Sequence, residues 1–233
     1  MSTGSKQRVQ AMRERQAAAA RRRRLVVTAV VVALVAAAAV IVAIAVRSSR
    51  SEAVPRNTRN GAIVVGAASA PVHVEVFEDF QCPACKAFEA GAAPVLRDVA
   101  TRGTARVSYY VLSFIGPESV RAANAAACAA DVSPAKFADL HDRLYAQQPP
   151  ERTGGFTTSD LVAAGRAVGL GDDYAGCVRE ERFRDWVDTV NREQGPRIKG
   201  TPTVFLDGRE LPREDYAAPQ LRAAIDAAAR SSR

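Results

Sequence analysis

Residues 25–46, LVVTAVVVALVAAAAVIVAIAV, run for 22 positions without one charged side chain. At about 1.5 Å of rise per residue, a helix of that length reaches roughly 33 Å, which matches a hydrocarbon core about 30 Å thick. The core helix of a soluble domain is seldom so long and so uniformly apolar. The stretch therefore predicts a transmembrane helix and divides the chain around it. Arg21, Arg22, Arg23 and Arg24 abut its front, and Arg47, Arg50, Arg56 and Arg59 follow it. With eight basic residues ahead and four behind, the positive-inside bias holds the amino terminus in the cytoplasm and puts the chain from about Gly61 onward outside. Ala43-Ile44-Ala45 has the form of a signal-peptidase site, but the apolar run exceeds a signal sequence's usual length, which favours an uncleaved anchor. Arg22-Arg23-Arg24-Leu25-Val26 loosely fits a twin-arginine signal, and that route delivers the domain to the same side.

The charge balance supports this division. The whole chain carries +7, and residues 1–24 alone hold eight Lys or Arg against one acid. Everything after Arg24 sums to zero, so no excess positive field remains to attract nucleic acid. Residues 47–60 are polar, contain Pro55 and lack apolar periodicity, which predicts a tether.

Beyond the tether, Val72, Val74 and Val76 alternate as a strand does and lead directly into Cys82-Pro83-Ala84-Cys85. A helix follows, with Phe88, Val95, Leu96 and Val99 on its apolar face, an expected kink at Pro94 and a stop at Gly103. A second strand covers Arg106 to Leu112. Ala-rich amphipathic segments punctuated by Pro and Gly fill about 117–193 and predict an all-helical block. Strand signals return at Thr203 to Leu206, where Asp207-Gly208 predicts a hairpin turn, and a last helix covers about Pro219 to Ala229. Strands at both ends with helices between them predict one α/β domain over 61–233, its sheet interrupted by a helical insertion.

Where a strand meets a helix, Cys82 sits beside unpaired backbone N–H groups and the positive end of the macrodipole, which stabilise a thiolate. Pro83 suits the first helical position, and two intervening residues let Cys85 close a disulfide with Cys82. Such a pair exchanges through a mixed disulfide. A lone CxxC also fits half a zinc site, a metal-transfer loop or an inert bridge. A closed zinc site needs four ligands, however, and no second closely spaced Cys/His pair exists, so no metal is assigned. His73 and His141 read as packing or surface residues, Phe183 and Trp186 as core anchors, and Glu180, Glu181, Arg182 and Arg184 as a solvated helix face. Spacing alone makes Pro202, at a strand's first position, an ordinary trans proline.

FEDFQCPACKAFE (77–89) and KGTPTVFLDGREL (199–211), with a helical block between them, resemble the DsbA-like thiol-disulfide oxidoreductases of the thioredoxin superfamily, of the type anchored in actinobacterial membranes. Residues 122–148, AANAAACAADVSPAKFADLHDRLYAQQ, also resemble that family's helical insertion, and the resemblance covers about 61–230. It implies a cis Pro202 lying against the disulfide and a Thr201 backbone that receives substrate in strand-like fashion, a mode tolerant of many sequences. It further implies no cofactor beyond the redox-active disulfide, exported proteins as substrates, and recharging by a quinone-linked membrane oxidase. The family's buried acid six residues before the first cysteine is here Val76. Glu75 or Glu78 is the replacement; alternation puts Glu78 on the side of Val76, and a solvated carboxylate is the competing reading. The strongly oxidising family member has His where this chain has Ala84, so Cys82 is expected to titrate below about 8.5 and above the extreme near 3.5.

Cys128 and Cys177 would be small core thiols in a cytosolic protein. Outside the membrane, with the other two cysteines taken by the motif, they read as a structural bridge, which relatives of this kind often carry. Closing that loop would stabilise by about 4 kcal/mol in the chain-entropy model. The leading expectation is a membrane-tethered disulfide donor. The alternatives are an extracytoplasmic reductase and a non-catalytic anchored module that binds chains or carries a metal.

Overall fold

The computed structural model describes residues 21, 23–42, 44, 53–151 and 153–232. Most of the expected basic segment, Ala43 within the expected anchor, and residues 45–52 of the anchor's end and the tether lie outside them. The chain divides into two compact units, Met1–Ser49 and Arg50–Arg233. The first contains α1, Arg23–Val42, a 20-residue helix of mean hydropathy 3.1 with none of its length buried against protein. Among the described residues it is the one helix long and apolar enough to cross a membrane.

In the second unit, six strands form one sheet in the order β1-β2-β4-β3-β5-β6: β1 Thr58–Arg59, β2 Ala62–Val65, β3 Val72–Glu78, β4 Ala105–Val111, β5 Thr203–Leu206 and β6 Arg209–Glu210. β3 and β4 pair in parallel from Val72↔Ala105 to Glu78↔Val111, and the helix α2, Pro83–Thr101, makes the crossover between them. β5 returns antiparallel on the other side of β3. Parallel central strands are covered on both faces, which is why β3 is buried at six of its seven positions rather than alternating in and out. The expected alternation therefore understates the burial of its charged residues: Glu75 is 6% exposed and Glu78 is 0% exposed.

Five helices stand between β4 and β5: α3 Pro117–Val132, α4 Pro134–Ala146, α5 Thr158–Ala167, α6 Asp172–Arg179 and α7 Arg184–Gln194. α3 lies at their centre; its alanines 122, 123, 125, 126, 127, 129 and 130 are all buried. Side chains this small let α4, α6 and α7 approach α3 closely. Cys128 on α3 is bonded to Cys177 on α6, with Cα atoms 5.9 Å apart. Phe183 and Trp186 are buried, while Arg182 and Arg184 pair with Glu180 and Glu181 at the surface. α8, Ala218–Ser231, closes the fold against α2 and β3.

One expectation needs correction. The tether does not extend to Asn60, because the folded unit already includes residues 56–59. Arg56 binds Asp131 through its backbone N–H at 2.8 Å and through its guanidinium, Asn57 donates to the Ala130 carbonyl at 2.8 Å, and β1 pairs with β2. These residues lack apolar periodicity because partners more than 70 residues away hold them, not a hydrophobic face. α2 carries Pro94 inside it and stops at Thr101, just ahead of the expected stop at Gly103.

Candidate active site

β3 delivers the chain to Glu78, and the loop 79–81 turns it into α2 with Cys82 at the N-cap and Pro83 inside the first turn. No side chain caps this terminus, so its free N–H groups face the Cys82 sulfur. Asp79 fixes the loop. Its carboxylate accepts from the backbone N–H groups of Gln81 (2.8 Å), Phe114 (3.2 Å) and Ile115 (3.3 Å) and from the Ser119 hydroxyl (2.6 Å). From the helical insertion, the Gln148 amide donates to the carbonyls of Phe80 at 2.8 Å and Cys82 at 3.0 Å. The insertion thus clamps the cysteine loop directly.

Cys82 is at the edge of burial, 9% exposed, and Cys85 is sealed at 0%. A hydrogen bond from the Cys85 thiol brings the Cys82 thiol down to about 5; burial opposes this, and the Thr201 side chain and the backbone N–H groups of Cys85 and Ala84 assist it. That value lies inside the expected window. Burial pushes Cys85 strongly the other way, reinforced by its donation to Cys82 and by the negative charge of Glu78. The two sulfurs therefore have opposite characters, one a stable anion and the other a tenacious thiol.

Across from them, the Thr201-Pro202 peptide is cis and Cys82 Sγ lies 3.6 Å from the Thr201 carbonyl oxygen. A groove of about 470 Å³ borders this loop, lined among others by Leu112, Phe114, Ile198 and Gly200, and Phe114 and Ile115 are exposed beside it.

Glu78 is not solvated. Its Oε1 is 2.8 Å from His141 Nε2, and His141 on α4 is itself 1% exposed. Glu75, on the opposite face of β3, is taken up by Arg197 at 2.8 Å, whose guanidinium stacks over Phe77, Tyr110 and Phe205. His73 contacts Ser108 at 2.8 Å. Donor atoms of Glu78, Glu89 and His141 lie within 4.8 Å of one another, the one such buried grouping among the described residues. Asp79, Glu89, His141 and Gln148 are residues the sequence reading missed as part of the site. Glu89 could have been found, since it sits four residues after Cys85 on the apolar face of α2 formed by Phe88, Ala92 and Leu96. His141 gave the same signal among Phe137, Leu140, Leu144 and Tyr145 of α4.

A protein-family model described as thioredoxin matches residues 58–227. Disulfide bond formation protein D of Bacillus subtilis is 30% identical over 156 residues, which cover 65% of this chain and 70% of that protein. Among solved structures, the reduced disulfide oxidoreductase DsbG of Mycobacterium tuberculosis superposes with a TM-score of 0.63 at 25% identity, over 73% of this chain and 93% of that one. BdbD of Bacillus subtilis has the same fold, with a TM-score of 0.64 at 24% identity over 76% and 96% of the two chains.

Proposed function

This chain belongs to the thioredoxin family as a thiol-disulfide oxidoreductase of the DsbA type, and from that premise we propose that it is a membrane-tethered disulfide donor to exported proteins. The observation that carries the direction is the Cys82 thiol held at about 5 above a sealed Cys85. A stabilised thiolate favours the reduced enzyme, and a favoured reduced state makes the disulfide a strong oxidant.

The reaction runs in two exchanges. A substrate thiolate attacks Cys82 Sγ in the oxidised enzyme; the new S–S bond forms as the Cys82–Cys85 bond breaks, and the electron pair goes to Cys85 Sγ, which takes up a proton. A second substrate thiolate then attacks the substrate sulfur of the mixed disulfide and expels Cys82 as its thiolate. In total, a substrate dithiol becomes a disulfide, and the enzyme ends with one thiolate and one thiol plus a released proton. Thr201 and the cis Pro202 present main chain to an extended substrate, and the groove at Phe114 and Ile198 takes its apolar side chains. Pro83 preorganises the helix start, and Ala84, lacking a side chain that stabilises the thiolate, leaves Cys82 short of the extreme oxidants. Glu78 supports the site beneath Cys85, and the Cys128–Cys177 bridge ties the insertion that clamps it.

The apolar stretch 25–46, to which α1 belongs, serves as a single-pass anchor with the amino terminus cytoplasmic and the catalytic unit outside. A quinone-linked membrane oxidase of exported thiols would restore the disulfide. The test is the Cys82–Cys85 potential against glutathione: about −120 to −180 mV is expected, and a value near −270 mV would reverse the direction to reductase. Cys82→Ala should abolish oxidative refolding of a reduced, disulfide-dependent substrate; full activity in that variant would leave only a binding module.

A further inference from the structure

Among the described residues, seven buried side-chain polar atoms lack a hydrogen-bond partner, and four of them gather around His141. These are Glu78 Oε2, both carboxyl oxygens of Glu89 and the Tyr145 hydroxyl, on residues no more than 3% exposed. A buried polar atom without a partner is costly, and two buried carboxylates are costlier because their charge must be offset on the spot. One protonated imidazole offsets only one of them. The two cations of α2 that line the same cleft as Glu89 are engaged elsewhere: Lys86 donates to the Gln148 carbonyl at 3.3 Å, and Arg97 is held by Asp139 at 2.8 Å and Asp142 at 2.6 Å. A divalent cation offsets both carboxylates and gives their free oxygens a partner.

We propose that Glu78 on β3, Glu89 on α2 and His141 on α4 hold one divalent metal ion of the zinc or manganese class, at a site separate from the cysteine pair. One ligand atom from each residue lies within 4.8 Å of the other two. Two ligands on one ion, each bonded at about 2.0–2.2 Å, stand no more than about 4.4 Å apart, so the side chains need to close in by only about 0.4 Å. The imidazole is already oriented as a ligand. Its Nδ1–H donates to Asp142 at 3.2 Å, and Arg97 holds that carboxylate in turn, which leaves Nε2 facing the cluster, 2.8 Å from Glu78 Oε1. A carboxylate behind the outer nitrogen fixes the tautomer and the ring of a metal-binding histidine in this way. A proton between Nε2 and Oε1 would serve Glu78 alone, whereas a cation there also serves Glu89. One imidazole with two carboxylates suits zinc or manganese; it lacks the sulfur that selects copper(I) and the all-oxygen shell of calcium. Burial, and then the charges of Glu78, Cys85 and Glu89, hold the Tyr145 phenol above its usual range, so Tyr145 stands beside these carboxylates and offers its hydroxyl to the fourth position. The bound ion ties the insertion helix α4 to the central strand and to the helix that begins at Cys82, adding its binding energy to the stability of the fold.

The experiment uses the full chain in detergent, isolated without a metal-affinity tag and oxidised so that Cys82 and Cys85 are closed and cannot ligate. Elemental mass spectrometry should find about one zinc or manganese per chain, either as isolated or after the ion is added and the excess dialysed away. The thermal midpoint should rise with the ion and fall on chelation. X-ray absorption at the metal edge should show nitrogen and oxygen around the ion and no sulfur. Glu89→Gln and His141→Gln should each lose the bound equivalent. Asp142→Asn, whose carboxylate is 40% exposed and lies behind the imidazole, should weaken binding about tenfold to a hundredfold, and it serves if the buried variants do not fold. A chain that takes up neither ion, with a midpoint indifferent to both, would mean that protons alone close the cluster and would overturn the proposal. So would an equivalent retained in both Glu89→Gln and His141→Gln, sulfur in the metal's shell, or wild-type affinity in Asp142→Asn. None of these readouts passes through disulfide exchange.

Discussion

Two sulfurs separated by two residues in the chain have opposite acid strengths because one turn of helix places them in different surroundings. Cys82 meets the donors at the start of α2, whereas Cys85 lies on the buried face of that helix, under the negative charge of Glu78. The reduced protein should therefore react with iodoacetamide at Cys82 alone, with a rate that reaches half its maximum near pH 5, the level to which that thiol is brought down, about 5. A midpoint near the free-thiol value of about 8.5 would remove the stabilised anion. At this scale the sequence was informative about Cys82, Cys85, Pro83 and the resemblance-derived Pro202, because a helix start and a motif are local. It was poor at identifying Glu78's partner. No local rule tells a strand carboxylate that a histidine 63 positions later will meet it at 2.8 Å.

The elements derive their precision from side chains too small to notice in a sequence. Gly165 on α5 is one: a methyl group there would run into the ring of Tyr174, which is held by its hydroxyl's bond to the Leu161 carbonyl at 3.0 Å. Gly165→Ala should destabilise the domain by about 1–3 kcal/mol, read as a lower thermal midpoint with the Cys82–Cys85 potential unchanged. An unaltered midpoint would mean that α5 and α6 separate freely. The helical block was legible from its Ala-rich amphipathic pattern and its Pro and Gly punctuation, and the strands β3 to β5 from alternation and the Asp207-Gly208 turn. β1 and β2 were not legible. They are two and four residues long, and long-range hydrogen bonds, not periodicity, hold the preceding Arg56 and Asn57.

For the whole molecule, the redox state and the fold's stability are linked through protons. Unfolded Cys82 titrates near 8.5 and folded Cys82 at about 5, so the unfolded reduced chain binds more protons across that window. Stability of the reduced form rises with pH through the window and is lost again as pH falls through 5. Above about 8.5 the raised Cys85 works in the opposite sense, because its thiol then ionises only in the unfolded chain. The oxidised form has neither thiol. The thermal midpoint of the reduced protein minus that of the oxidised protein should therefore grow from about pH 4.5 to about pH 8; a constant difference would contradict the linkage. By itself, the sequence determined the apolar span, the charge partition, the order of strands and helices from β3 onward and the reactive dicysteine, because each is written in neighbouring residues. Only the tertiary structure decided which carboxylates lose water, since burial is a property of the elements that cover a residue. β3 exposes neither face, α4 carries His141 to Glu78, and Gln148 reaches back to the cysteine loop.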